Sequence, residues 1–311
     1  MLRRSFMALA TPALAQWAPS HPIRLIIAFP PGGSTDVLGR LIAPLLAAAL
    51  GQPVVPENRT GAAGAVAAGF VAASPPDGHT VLLDSGGHAT NPYLMRGLGF
   101  DYLTAFAPVT LLATLPLLLV TRDALTLPQL LARERPTYGS VGVGSRTHLA
   151  GALLLRRAGL AGTHIPYRGG ADQITAQLRG ETDFGFSSIA LTAALLREGR
   201  LHALGTAGPA LPGVPPLGFD MFDWLALHAP ARTPGAVVAR IAEAAGAAMA
   251  EPALQHRLAE LGLQPAAGGP AALPAFLAWG RAAMSPLLAA AGIPVEWPKR
   301  WPRRSGVGAW A

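Results

Sequence analysis

The first third of this chain alternates short apolar strands with helices, joined at glycine-rich turns, and that rhythm leaves few folds open to it. Arg24–Phe29 (RLIIAF) is a strand of buried type that runs through Pro-Pro-Gly-Gly into a helix opening at Ser34, Thr35 and Asp36. Val37, Leu38, Leu41, Ile42, Leu45, Leu46 and Ala49 recur at helical spacing, with Gly51 where a C-terminal cap belongs. Pro44 falls inside that helix, where a proline removes a backbone donor and is expected to kink it. PVVPENR is a second short strand, GAAGAVAAGFVAAS a small-residue helix, and PPDGHTVLLDS a turn followed by a third strand. A βαβαβ order implies a parallel sheet covered by helices.

The turn FPPGGSTD at 29–36 carries the first chemical signal. Gly32 and Gly33 allow a sharp reversal without a Cβ penalty, and Ser34 or Thr35 is placed to cap the helix. A helix start left open offers unpaired N–H groups and a partial positive charge, which suits an anion. Asp36 is placed to pair with that helix start, structurally first and as a ligand-ordering group second. Three further turns repeat the logic: DSGGHATNP (84–92), GVGSRTHLAG (142–151) and YRGGADQI (167–174). Ligands of open α/β sheets sit at the carboxyl ends of strands, where these turns lie.

The apolar run 106–121 (FAPVTLLATLPLLLVT) reads either as one more buried strand or as a strand leaving one lobe for another; its length supports the crossing. A helix near 127–133, a strand at 137–143, a helix from about 147 to 159, then HIPYRGG, a helix to Arg179 and TDFGFSS restart the alternation. DWLALHAP (223–230) is the candidate return strand, and Thr233-Pro234 starts helices that pack back on the first lobe, to Ile293.

Composition excludes several classes. Hydrophobic residues make up 51% and charged residues 13%, so the chain folds into cores. The net charge of +7 misleads: Arg3, Arg4, Lys299, Arg300, Arg303 and Arg304 lie at the two ends, and setting those six aside leaves 18 basic against 17 acidic residues. A nucleic-acid binder needs a clustered basic face, and the body has none. There is no cysteine, no GxSxG elbow, no P-loop lysine, no HExxH and no histidine pair at i,i+4. No enzyme activity, cofactor or metal is therefore expected. His148 reads as a structural or ligand-side hydrogen bonder rather than a general base. Arg3 and Arg4 followed by FMALATPALA have the shape of an export signal over 1–15, with cleavage near Ala15; the duller reading is a frayed basic terminus of a cytosolic protein. RRSFM leaves Sec and twin-arginine export both open. No apolar run of about 20 residues follows that would span a bilayer.

Taken in order, PIRLIIAFPPGGSTDVLGRLIA, VPENRTGAAGAVAA, SPPDGHTVLL, FAPVTLLAT, GSRTHLAG, HIPYRGGADQ, REGRLHALGTA, ALPGVP, LHAPARTP and the late AAGI resemble the solute-binding receptors of tripartite tricarboxylate transporters over nearly the whole mature chain. The resemblance implies a two-lobe α/β fold of the type II periplasmic-binding-protein kind, each lobe a mainly parallel sheet flanked by helices, with two crossing hinge strands. We expect lobe 1 to comprise 16–112 and 228–295, lobe 2 to comprise 113–227, and 296–311 to be a basic tail. It also implies a monomeric periplasmic receptor that captures a small organic carboxylate, or a related small polar metabolite, for integral-membrane permease subunits. A sensor feeding a signalling system is the alternative, and an enzyme on a small anionic substrate a weaker one. The candidate ligand-binding residues are Phe29, Gly32, Gly33, Ser34, Thr35 and Asp36 in the first turn, Ser85 in the second, and Gly144, Ser145, Thr147 and His148 in the third. Gly170, Ala171 and Ser187 complete the set. Ser187 and Ser188 stand where the family often carries Asp-Asn, and Arg146 stands where a small or hydroxylic residue is usual, so it is expected to add charge at the rim. The stretch between ALPGVP and the return strand is shortened, and the tail has no family counterpart.

Overall fold

The computed structural model describes residues 17–208, 211–266 and 272–293. The export segment, the tail, and Ala210 of ALPGVP lie outside the described residues.

In chain order the elements are β1 (Ile23–Ile27), α1 (Ser34–Leu50), β2 (Val54–Asn58), α2 (Ala65–Ala72), β3 (Thr80–Asp84) and α3 (Gly87–Leu94). The crossing strand β4 (Phe106–Thr121) leads to α4 (Leu127–Leu131), β5 (Thr137–Ser140), α5 (Arg146–Arg157), β6 (Thr163–Pro166) and α6 (Gly170–Leu178). Then come β7 (Phe184–Ser187), α7 (Ile189–Arg197), β8 (His202–Ala207), β9 (Phe222–Pro230), α8 (Gly235–Met249), α9 (Pro252–Glu260), β10 (Gln264–Pro265) and α10 (Ala272–Ala290).

The strands pair in the order β2-β1-β3-β9-β4-β7-β5-β6, with β8 and β10 also on β4. β1 pairs parallel with β2 and β3, and β5 parallel with β6 and β7. All pairings of β4 and β9 are antiparallel, so each lobe is a parallel unit attached to an antiparallel spine. β4 spans both lobes. Phe106–Pro116 face β9, while Leu117–Thr121 face β8 and Leu118–Val120 face β7. Register shifts at Pro108/Thr110, Leu111/Ala113 and Leu119/Val120 bend and twist the strand as it passes from one lobe to the other.

β1 is buried on both faces because helices cover both. Leu25 and Ile27 pack with Leu38 and Ile42 of α1 and Ile241 of α8, whereas Ile26 packs with Ala67 and Val71 of α2. Burying each of the Leu, Ile and Val side chains contributes about 1.5–3 kcal/mol. Gly39 lets α1 approach closely: a Cβ there would lie 2.7 Å from Ile27 Cδ1. α1 runs unbroken to Gly51, whose φ of 75° and N–H to Ala47 form the cap expected. Pro44 is carried on its exposed side.

Four local readings change. DSGGHATNP is not only a turn: Gly87–Leu94 is helical, with Pro92 inside. α1 is capped by Gly33, and neither Ser34 nor Thr35 serves as a side-chain cap. Thr233 does not cap α8; its hydroxyl donates to Pro230 O at 2.7 Å. The final helices also divide. α8 and α9 pack on the first sheet, but in α10 Leu273 and Leu277 meet Trp224 and Leu111, whereas Met284 and Leu288 join Leu149 and Leu153 of the second lobe.

Candidate functional site

Four helices begin around one cleft between the lobes, and the sequence explains why their first turns are open. α1 starts after Gly33, α6 after Gly169 and α7 after Ser188; none of the three has a side-chain cap. α5 is the exception: Ser145 Oγ accepts the His148 N–H at 3.3 Å. No hydrogen bond is made to the amides of Ser34, Thr35, Asp36, Arg146 or Thr147 among the described residues. Each helix terminus contributes roughly half a positive charge at its end.

These turns enclose a cavity of about 60 Å³. Phe29, Pro30, Gly33, Ser34 and Thr35 border it from lobe 1, with Ser85 at the end of β3. Val141, Thr147, Gly170, Ser187 and Ser188 border it from lobe 2. The crossing strands supply Leu115, Leu117, Asp223 and Leu225, and Phe186 and Leu191 complete an apolar side. Among the described residues its lining holds one carboxylate, Asp223, and no lysine, arginine or histidine.

The lobes touch directly across it. Ser34 Oγ and Ser188 Oγ are 2.6 Å apart, a hydrogen bond joining residues 154 positions apart in the chain. Pro30 lies against Gly169, where a Cβ would come within 2.8 Å of its ring. Ser187 Oγ is buried in the lining without a hydrogen-bond partner among the described residues. A buried hydroxyl left unpaired costs roughly 1–3 kcal/mol, so it favours a polar guest.

Of the candidate residues, Phe29, Gly33, Ser34, Thr35, Ser85, Thr147, Gly170 and Ser187 meet at this cavity. Gly32, Asp36, Gly144, Ser145, His148 and Ala171 do not line it, and the local bonding shows why. Asp36 is turned under its own turn, where it accepts from Gly32 N–H at 3.0 Å, Arg40 Nε at 3.0 Å and Asn58 Nδ2 at 2.8 Å. Burial raises its pKa, but these donors outweigh burial and hold it below the usual carboxylate range. Gly32 is exposed with φ 81°, fixed by that bond. Ser145 spends its hydroxyl on Gly142 O and the His148 amide. His148 Nδ1 accepts from Gly144 N–H at 3.1 Å, and its ring stacks on His164 at 3.8 Å. Burial and the neighbouring His164 push its pKa down to about 3, so the ring is neutral. Ala171 faces solvent.

Arg146 corrects another expectation: it is not at the rim. Only 6% exposed, it runs beneath Gly86, where a Cβ would lie 2.6 Å from Arg146 Cγ. Its Nε lacks a hydrogen-bond partner among the described residues, while burial lowers its pKa against the opposing pull of Asp223.

The sequence reading missed Asp223 as a lining group, and Asp223 had no signal beyond standing first in the return strand DWLALHAP. Outside the cleft, His21, Asp77 and His79 bring ligand-type atoms within 4.8 Å of one another. The two imidazoles there are stacked at 3.6 Å and 24°, which sets their lone pairs side by side rather than converging on an ion.

Two parallel lobes on a shared antiparallel spine, closed over a cavity ringed by helix starts, define a two-lobed solute-binding protein. Residues 38–291 match the family described as tripartite tricarboxylate transporter family receptor, and the chain belongs to it. It is 35% identical over 277 residues to a UPF0065 protein encoded in the tcbD-tcbE intergenic region of Pseudomonas sp. strain P51, covering 82% of each chain. The fold is similar to that of the periplasmic binding protein BugD, with a TM-score of 0.83, 27% identity, and coverage of 88% of this chain and 99% of that one. It is also similar to R. palustris Rpa4515 with adipate, with a TM-score of 0.84, 29% identity, and coverage of 88% and 98%. Among the described residues no helix is long and apolar enough to cross a membrane.

Proposed function

We propose that this protein is a periplasmic receptor that captures a small organic carboxylate between its lobes and presents it to an integral-membrane permease. The observation that carries this reading is the convergence of helix starts from both lobes on one cavity, with open amides from Ser34, Thr35 and Thr147 at its edge. Anion capture by backbone amides needs no cationic side chain. A micromolar ligand requires about 8 kcal/mol, and hydrogen bonds to a charged group contribute roughly 1.5–3 kcal/mol each. Three or four such bonds reach that total. Because donors come from both lobes, the acid binds the closed form better than the open one, and that difference is what a permease reads. Adipate in the related Rpa4515 supports a carboxylic acid as the ligand class.

His148, the histidine of the GSRTHLAG turn, does not line the cavity and its Nδ1 is taken by the Gly144 amide, so that turn aims no base at Ser34, Ser187 and Ser188. Isothermal titration of the mature chain against a panel of mono-, di- and tricarboxylates tests the proposal. Micromolar binding of at least one acid, recovered chemically unchanged, is the expected result; silence across the panel overturns it.

A further inference from the structure

Resting on that carboxylate reading, the geometry points to Asp223 as the residue that chooses the far end of the ligand: the captured acid carries a hydrogen-bond donor there, an amine, amide or hydroxyl, and not a second carboxylate. Asp223, the second residue of β9, lies opposite Leu115 of the crossing strand and borders the cavity. Its carboxylate is held in place, since Oδ1 accepts from Gly86 N–H and from Trp224 N–H, both at 2.8 Å. Oδ2 makes no hydrogen bond among the described residues, and it is not among the buried unpaired atoms, so it keeps access to the cleft. A carboxylate is acceptor-only. A guest that turns N–H or O–H toward Oδ2 satisfies it; a guest that turns a second carboxylate sets lone pairs and like charges against each other.

Burial raises the Asp223 pKa, and the Gly86 and Trp224 N–H groups together with Arg146 pull it back toward the ionised carboxylate. Arg146 lies beyond Gly86 and is not part of the lining, so it leaves Oδ2 free for the ligand. Leu115, the partner of Asp223 across the strand pair, and Leu225, two residues along β9, also border the cavity and offer no donor to a second carboxylate.

The test is titration calorimetry at pH 7.5 with acids of matched length that differ at one end: succinate, succinamate, 4-aminobutyrate and 4-hydroxybutyrate, then adipate, 6-aminohexanoate and 6-hydroxyhexanoate. The donor-ended member of a set is expected to bind about 100-fold tighter than its dicarboxylate, within the range set by leaving a buried polar group unpaired. Asp223→Asn, which offers a donor of its own, is expected to shrink that gap to under about tenfold. A dicarboxylate that binds the wild-type chain as tightly as its donor-ended partner overturns the inference while leaving the carboxylate receptor intact. An unchanged ranking in Asp223→Asn does the same. If no acid in either series binds, the receptor reading itself falls, and this inference with it.

Discussion

Each lobe hides a stacked histidine pair behind its cleft turn, and the two pairs are built differently. In lobe 2, His148 and His164 stack at 3.8 Å, and both are bonded: His148 takes the Gly144 N–H, and His164 Nε2 lies 2.7 Å from Ser140 Oγ. In lobe 1, His88 and His228 stack at 4.0 Å behind Ser85, and His88 Nδ1 lies 3.1 Å from Asp84. There both ring nitrogens of His228 are buried without a hydrogen-bond partner among the described residues. The lobe 2 pair therefore sets the shape of a cleft turn, because it holds the backbone of Gly144. The lobe 1 pair fills space and couples to an acid. Burial pushes the Asp84 pKa up to about 8 against the opposing Ser85 amide, so at neutral pH it is mostly a neutral carboxyl beside a neutral ring.

The largest effect that tests this contrast is pH dependence. Burial drives His88 down to about 3, with Arg281 adding to it, and His148 to about 3, His164 to about 4, and His228 well below its ordinary value. Unfolded histidines titrate near 6.5. The unfolded chain thus binds more protons below pH 6.5, and stability is lost as pH falls from about 6.5 toward 4. Asp84 acts oppositely: its folded pKa is raised, so its contribution is lost as pH rises from about 4 to about 8. Several histidines outweigh Asp84 on the acid side, and above pH 6.5 Asp84 acts without them. Thermal melts between pH 4 and 9 should peak near pH 6.5, fall steeply in acid and gently toward pH 8. Asp84→Asn should flatten the alkaline limb and steepen the fall between pH 6.5 and 4, where Asp84 no longer offsets the histidines. A melting temperature that rises toward pH 5 would break the assignment of neutral histidines.

His148→Leu comes next. It removes the acceptor of the Gly144 amide and leaves that buried donor unpaired, a loss of about 1–3 kcal/mol. Ligand affinity should fall along with stability, because the turn bearing Thr147 loses its anchor. Urea denaturation together with calorimetry measures both, and an unchanged affinity would make the pair a filler in both lobes.

The smallest effect is expected for His228→Leu. Replacing a ring with two unpaired nitrogens by an apolar side chain should shift stability by under about 1 kcal/mol, in either direction. Should it cost more than His148→Leu, the contrast between the lobes is reversed.

Much of the scaffold was legible in the chain. Phe106–Thr121 could be read as a crossing strand because its apolar run exceeds what one lobe needs, and β4 has those bounds. Gly51 after the 3.6-residue stripe marked the end of α1. The late elements were less visible. α7, β8 and β10 are short and set in apolar surroundings where a period of two and one of 3.6 look alike. At the site, the glycine turns pointed to the right strand ends, but sequence proximity could not say which side of each turn would face the cleft. Ser34 and Asp36 stand two residues apart; one reaches across to Ser188 and the other binds Arg40 and Asn58.

By itself, then, the sequence determined what local rules govern: strands, helix starts, glycine reversals, and a body without a basic face. Only the tertiary structure decided which groups share the cavity. Asp223 joins Ser85 and Ser187, and Arg146 slips beneath Gly86, because two lobes distant in the chain close on each other. Burial and hydrogen bonding between such distant residues depend on the packing of whole lobes, a quantity no local window of residues contains.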